Sequence, residues 1–238
     1  MKISIITTTY NSGATLRDTI RSILSQTYQD IEYIVVDGAS TDDTLTIIQE
    51  YEPQFDGRMR WVSEKDNGLY DAMNKGIRMA TGDVVGILNS DDFFTSPDVL
   101  ERVAGAFRGI GPDAVYGDIH FVNPDNLNRC VRYYSSRLFR SWLMRMGFMP
   151  AHPSFYARRK VYIRYGLYKT HYKVCADYEW MLRTVFVGGI RTRYLGHGHG
   201  DDAYGRGQYP RGVGAPADSE RASAGSPGEQ GLYQPPDA

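Results

Sequence analysis

Apolar and polar positions alternate in blocks along the first half of this chain, and the blocks read as strands and helices in turn. Ile3 to Thr8 is a β-branched run, the mark of a buried strand. Asn11-Ser12-Gly13 turns the chain into a helix from Thr15 to Gln26, with Leu16, Ile20, Ile23 and Leu24 spaced to share one face. Ile31 to Val36 reads as a second buried strand. Asp37-Gly38-Ala39-Ser40-Thr41-Asp42 is a turn rich in helix-capping residues, and a helix follows to Tyr51. Arg60-Trp61-Val62 is a short third strand, Leu69 to Ala80 a third helix, and Gly82 ends the connection into the apolar run Val84-Val85-Gly86-Ile87-Leu88. Pro97 to Phe107 is a fourth helix. Strict strand–helix alternation predicts an α/β fold with a doubly wound, mostly parallel sheet.

After residue 112 the pattern changes. Residues 114–122 and 129–135 predict two strands, an antiparallel pair beside the main sheet. Asp177 to Val187 predicts a helix with Trp180, Met181, Val185 and Phe186 as apolar positions, and Arg191 to Leu195 a last strand. Then the composition breaks. The 43 residues from Gly196 to Ala238 hold ten Gly and five Pro, with Val213 and Leu232 the two large aliphatics. Such a segment buries too little apolar surface to offset its ordering entropy, so disorder is expected. Two origins stand open: a native flexible tail, or the product of a frameshifted or truncated gene.

Composition narrows the function classes. With 238 residues, 42% hydrophobic and 23% charged, the chain matches a soluble protein with a sizeable core. A formal net charge of −1 carries no polyelectrolyte signal, so no nucleic-acid partner is expected. Cys130 and Cys175 fit neither a metal spacing nor a disulfide framework, and a reducing cytoplasm is expected. The apolar start from Met1 is too short for a signal peptide, and no apolar stretch is long enough for a membrane span.

The candidate chemistry lies at strand ends. Thr8, Thr9 and Tyr10 end the first strand, Asp37 the second; Glu64 and Asp66-Asn67-Gly68 follow the third, and Asn89-Ser90-Asp91-Asp92 the fourth. In a parallel sheet the carboxyl ends line one edge, so these residues converge there. Converging acids repel one another, and a cation relieves that repulsion. Two adjacent carboxylates suit Mg²⁺ or Mn²⁺ shared with a substrate phosphate. Each acid alone also serves as a turn or cap residue, and Asp91-Asp92 precede a helix start at Thr95-Ser96-Pro97-Asp98. No Walker-type or Rossmann glycine loop is present to cradle phosphates.

Several segments together resemble the inverting family 2 glycosyltransferases with a GT-A fold. They are Ser4 to Asn11, Val35 to Asp42, Asp66-Asn67-Gly68, Asp71-Ala72-Met73-Asn74-Lys75-Gly76, and Ser90-Asp91-Asp92 as the DXD motif. The resemblance covers residues 1–195 and is greatest to the subgroup that builds bacterial surface polysaccharide. It implies one GT-A domain, with residues 1–112 as the nucleotide-sugar-binding half and 113–195 as the acceptor half. It implies a nucleoside-diphosphate sugar as donor and a saccharide or lipid-linked hydroxyl as acceptor. It also implies residue roles. Thr8 and Tyr10 line the nucleotide pocket, Asp37 bonds the base, Asp66 sits beside the nucleoside, Asp91 approaches the ribose, and Asp92 ligates the metal. Many relatives have Arg where this chain has Met73, which removes one cation from the nucleotide site.

In the same way Asp177, in Ala176-Asp177-Tyr178-Glu179-Trp180, is the implied catalytic base, with Glu179 as the alternative. Such a base takes the proton from an acceptor hydroxyl, although Asp177 at a helix start also suits an N-cap. His152, in His152-Pro153-Ser154, and Asp118, in Tyr116-Gly117-Asp118, are implied acceptor-side residues; a lone His also serves structurally. His197-Gly198-His199-Gly200-Asp201-Asp202 imitates a metal site inside the aberrant tail. Residues 136–149 are short, apolar and basic, and suit either a peripheral contact with the inner face of the membrane or a core cover with snorkelling arginines. Two rival functions remain: a sugar nucleotidyltransferase, for which Asn11-Ser12-Gly13-Ala14-Thr15 is a poor phosphate loop, and a non-catalytic nucleotide-sugar-binding remnant.

Overall fold

A computed structural model describes residues 1–123, 126–196 and 206–208. Strands β1 (Ile3–Thr9), β2 (Ile31–Asp37), β3 (Met59–Ser63) and β4 (Val84–Ile87) alternate with helices α1 (Leu16–Leu24), α2 (Thr44–Tyr51) and α3 (Leu69–Met79). The β-branched runs form strands because alternate residues face the two sides of a buried sheet. Ile3, Ile5, Tyr33 and Val35 pack on one side with α1, α2 and α4 (Val99–Ala106). Ile6, Ile34, Val36, Val85 and Ile87 pack on the other with α3, α5 (Arg159–Tyr165) and α6 (Ala176–Met181). The sheet is therefore covered on both faces.

Seven strands make this sheet. Besides β1–β4 they are β6 (Ala114–Tyr116), β9 (Tyr156–Arg158) and β10 (Thr192–Tyr194), in the order β10-β6-β9-β4-β1-β2-β3. All neighbours are parallel except β9, which runs antiparallel between β4 and β6. A short second sheet is formed by β5 (Asp92–Phe93), β7 (Ile119–Asn123), β8 (Asn126–Tyr134) and β11 (Arg206–Gln208). The doubly wound, mostly parallel α/β fold is as the pattern predicts.

Four local readings need correction. The run 114–122 is two strands in two sheets, because Gly117 and Asp118 interrupt it. The helix after Asp177 is α-helical only to Met181 and continues as a π-turn over Leu182–Val187. β9 went unread, since three residues flanked by Pro153 and Arg159-Lys160 give too short a period. Part of the Gly/Pro-rich tail is ordered: Arg206–Gln208 pairs antiparallel with β5 and parallel with β7, filling backbone hydrogen bonds that two strand edges would otherwise leave open. The His197–Asp202 stretch lies outside the described residues.

Candidate active site

The strand order fixes where a crevice must open. The chain winds from β1 through β2 to β3 on one side of β1, then crosses to β4 on the other. Between β1 and β4 the direction reverses, and in open α/β sheets ligands bind outside the carboxyl ends of the strands at such a switch point. A cavity of about 800 Å³ occupies that place. Thr8, Thr9, Tyr10 and Ser12 contribute from the end of β1, and Gly38 from the end of β2. Lys65, Asp66, Gly68 and Leu69 contribute from the β3–α3 connection, and Asn89, Ser90 and Asp91 from the end of β4.

The loops around this cavity are stitched to one another. Gly38 N donates to Thr9 O at 2.9 Å, and Thr41 N to Asn11 Oδ1 at 2.8 Å. Gly13 N donates to Asp42 Oδ2 at 2.9 Å, and the Ser12 and Ser90 hydroxyls lie 2.8 Å apart. This stitching holds Asn11 and Ala39 at φ of +50° and +62°, a region that L-residues rarely enter. A Cβ on Gly38 would sit 3.2 Å from Asp66 Oδ2 and 3.4 Å from the Tyr10 ring, so a side chain there would press those two cavity residues outward by a few tenths of an ångström.

Of the residues expected in the nucleotide site, Thr8, Tyr10, Asp66 and Asp91 meet in the cavity and Asp37 does not. Asp37 is fully buried; its oxygens accept from Ser40 N at 3.0 Å, from Ser63 Oγ at 2.6 Å and from the Ser40 hydroxyl. It organises the turn after β2 instead of facing the cavity. Asp66 lies 2.5 Å from Lys75 Nζ, which also lies 2.9 Å from Glu64. Burial still pushes the Asp66 carboxyl above its usual range, against the pull of Lys75. Met73 is a buried residue of α3, and the cation among the described lining residues is Lys65 instead. The sequence reading missed Lys65, although it directly precedes the Asp66-Asn67-Gly68 motif.

Asp91 and Asp92 stand differently toward the cavity. Asp91 lines the cavity, whereas Asp92 is 4% exposed and stands behind the wall, accepting from Asn89 Nδ2 at 3.2 Å. Burial raises the Asp91 titration; burial and then the Asp91 charge raise that of Asp92 well above the ordinary carboxylate range. Among the described residues no three His, Cys, Asp or Glu side chains form a metal cage. Mg²⁺ and Mn²⁺ do not need one, because one or two carboxylates plus substrate phosphates hold them. Two adjacent, under-compensated carboxylates at a cavity wall are a donor set that fits such an ion.

A second cluster forms where α3 meets α6. Tyr70 OH donates to Asp177 Oδ1 at 2.9 Å, and the Tyr70 ring lies 5.8 Å from that of Tyr168. Tyr168 OH bonds His152 Nε2 at 3.0 Å, and Trp180 stacks on Tyr162 at 4.4 Å. Burial, then the Asp177 charge, pushes the Tyr70 hydroxyl up to about 12, so it stays a donor. Burial pushes the His152 imidazole down, toward its neutral form. His152 and Asp177 thus share one network. A cleft of about 330 Å³, lined by Tyr70, Thr170, Tyr172 and Lys173, adjoins it and shares Gly68 and Leu69 with the main cavity.

Two other acids are structural. Glu179 pairs with Arg183 at 3.0 Å and with Lys169 at 2.8 Å; these bonds outweigh its burial and hold the carboxyl below its usual range, unsuited to a base. Asp118 is not in the Asp177 network: it is buried and accepts from Tyr194 OH at 2.5 Å, from Ser136 N at 2.6 Å and from the Tyr133 hydroxyl.

Comparison with known proteins agrees with this layout. The family described as glycosyl transferase family 2 matches residues 4–174. A PGL/p-HBAD biosynthesis glycosyltransferase of Mycobacterium tuberculosis is 34% identical over 193 residues, 81% of this chain and 73% of that protein. A second glycosyltransferase of that species is 34% identical over 189 residues, 78% of this chain and 69% of that one. Among solved structures, Staphylococcus aureus TarS in complex with UDP-GlcNAc matches with a TM-score of 0.69 and 20% identity, over 89% of this chain and 60% of that one. The mannosyltransferase PcManGT from Pyrobaculum calidifontis, in complex with GDP-Man and Mn²⁺, matches with a TM-score of 0.59 and 21% identity, over 82% and 54%. This chain thus spans less than two thirds of either solved structure. The matched sequence, the sheet order and the crevice at the switch point agree: the chain belongs to glycosyl transferase family 2 and has its GT-A fold.

Proposed function

We propose that the chain moves a sugar from a nucleoside-diphosphate sugar to a hydroxyl acceptor with inversion, in the assembly of a cell-envelope polysaccharide or glycolipid. The observation that carries this is the cavity at the β1–β4 switch point, where Asp66, Asp91 and Lys65 converge with Thr8 and Tyr10. Its volume is in the range of small-molecule sites. Tyr10 is 64% exposed and offers a ring face to a base. Asp91, backed by Asp92, would hold Mg²⁺ or Mn²⁺, which when bound neutralises diphosphate charge. Lys65 adds a fixed cation. UDP-GlcNAc in TarS and GDP-Man with Mn²⁺ in PcManGT support a nucleotide sugar as donor.

In this reading Asp177 is the base. Its carboxylate accepts from Tyr70, which lines the cleft that adjoins the donor cavity. An acceptor hydroxyl in that cleft gives its proton to Asp177 as its oxygen attacks the anomeric carbon. The bond from that carbon to the phosphate oxygen breaks on the opposite face, and the nucleoside diphosphate leaves. Displacement from opposite faces inverts the anomeric centre. His152 supports the aromatic wall of the cleft through Tyr168.

The test is thermal stability with UDP, GDP, dTDP and CDP, each with and without Mn²⁺. A ligand that binds the folded state raises its stability by mass action, about 2.7 kcal/mol at a hundred times Kd. A metal-dependent rise with one nucleotide is expected, and names the donor class. No rise with any of them, on a folded sample, removes the donor site.

A further inference from the structure

Eleven of the chain's 27 Lys and Arg residues fall between residues 126 and 176, a stretch without one Asp or Glu, while all 28 acids lie outside it. A net charge near zero therefore hides a strongly basic block. Inside that block the segment after Ser136 is exposed and apolar. Leu138, Trp142, Met146 and Phe148 are 78%, 57%, 66% and 57% exposed. Arg137, Arg140 and Arg145 are interleaved with them and also exposed. None of the ion pairs among the described residues involves these three arginines.

The segment is tied to the core at several points. Ser141–Met146 is a 3₁₀ turn, in which residues three apart stand in line. Met144 is fully buried, whereas Ser141, Trp142, Arg145 and Met146 are exposed; Trp142 lines up with Arg145, and Leu143 with Met146. The Tyr178 hydroxyl bonds Met144 O, Tyr134 OH bonds Met149 O at 2.7 Å, and Phe139 packs edge-on to Tyr116 at 5.4 Å. Beside the turn is a groove of about 520 Å³ that includes Leu138, Leu143, Phe148 and Met149. Single surface apolar residues need no partner, but four exposed ones within residues 138–148, beside a groove that Leu138 and Phe148 themselves line, point to an interaction site.

We propose that this face docks on an anionic bilayer surface. Aromatic and aliphatic side chains enter the headgroup–acyl boundary while the arginines meet lipid phosphates. The charge selects this occupant over a second copy of the chain, because a two-fold contact through one patch would set arginines against arginines. The inference stands apart from the donor-site reading, since lipid binding does not require nucleotide binding.

The test is co-sedimentation of the full chain with vesicles of phosphatidylcholine alone and of phosphatidylcholine with phosphatidylglycerol. A basic residue near such a surface contributes about 1 kcal/mol, close to fivefold. The expected results are pelleting with the anionic vesicles only, weakening in high salt, and a loss of more than about a hundredfold in the triple variant R137E/R140E/R145E, since removing the three charges alone accounts for that much. The Trp142 emission should shift to the blue on binding, read against Trp142→Phe because Trp61 and Trp180 also emit. These residues are exposed, so both variants should keep the parent melting temperature. Pelleting that ignores lipid charge overturns the proposal, as does pelleting unchanged in the triple variant. A dimer that the variants dissociate, without vesicle binding, overturns it in favour of self-association.

Discussion

Two carboxylate sites in this molecule are built on opposite principles. At the end of β4, Asp91 and Asp92 are adjacent, the first half-buried and the second buried, and the Asp92 carboxylate accepts from a neutral amide, Asn89. Burial drives both titrations upward, and the Asp91 charge drives Asp92 further. At the start of α6, Asp177 receives the Tyr70 hydroxyl, and its neighbour Glu179 receives Arg183 and Lys169. The first site is under-compensated and so is suited to an incoming cation. The second is compensated from within, which fixes its geometry before any ligand arrives. In the proposed reading the first site binds and the second orients.

The most severe way to break the comparison is Asp177→Asn. The amide keeps the shape and the Tyr70 contact but cannot take a proton. General-base catalysis is worth about 10²- to 10⁴-fold, so turnover should fall by that range while the thermal shift with nucleotide and Mn²⁺ stays as in the parent. A variant that keeps turnover would remove Asp177 from the chemistry.

Asp92→Asn sharpens the other half. In the folded chain its carboxyl titrates above its unfolded range, so the folded state holds a proton that the unfolded chain has released. Stability therefore falls as the pH rises from the ordinary carboxylate range through the raised one. Removing the charge removes that fall. The ligand-free variant should melt higher than the parent at neutral pH, by about 2–4 °C per kcal/mol gained, and the difference should close below about pH 4. Its response to Mn²⁺ with nucleotide should shrink. Asp91→Asn should lose more of that response, because Asp91 is the carboxylate that lines the cavity. A lower melting temperature for ligand-free Asp92→Asn would show that the pair is a structural element.

The sequence disclosed these two sites unequally. Strand-end placement followed from period-two runs and strand–helix alternation, and Thr8, Tyr10, Asp66 and Asp91 meet where that logic puts them. It could not tell which neighbour of a motif faces outward. Asp37 and Asp92 are buried behind the wall because the turn after β2 and the two-residue strand β5 rotate them inward, and a one-residue shift in an extended chain reverses the face. Asp118, read only by resemblance, is spent on Tyr133 and Tyr194. β9 left one overlooked signal. Gly86 interrupts a Val/Ile run, and a Cβ there would lie 2.2 Å from the Tyr156 ring. An interior strand glycine marks a close approach by another element. The tail strand Arg206–Gln208 had no signal, since its pairing rests on open strand edges and not on its own apolar residues.

The smallest expected effect tests whether orientation at the second site matters by itself. Tyr70→Phe deletes one hydroxyl and keeps the ring that packs against Tyr168. The Asp177 carboxylate then loses the hydroxyl that holds it in place from α3. The lost positioning should lower kcat severalfold, far less than in Asp177→Asn. Nucleotide binding should change little, because the hydroxyl lies outside the donor cavity. An unchanged kcat would mean that Tyr70 supports the cleft and not the base, and the division into a binding site and an orienting site would then rest on Asp177 alone.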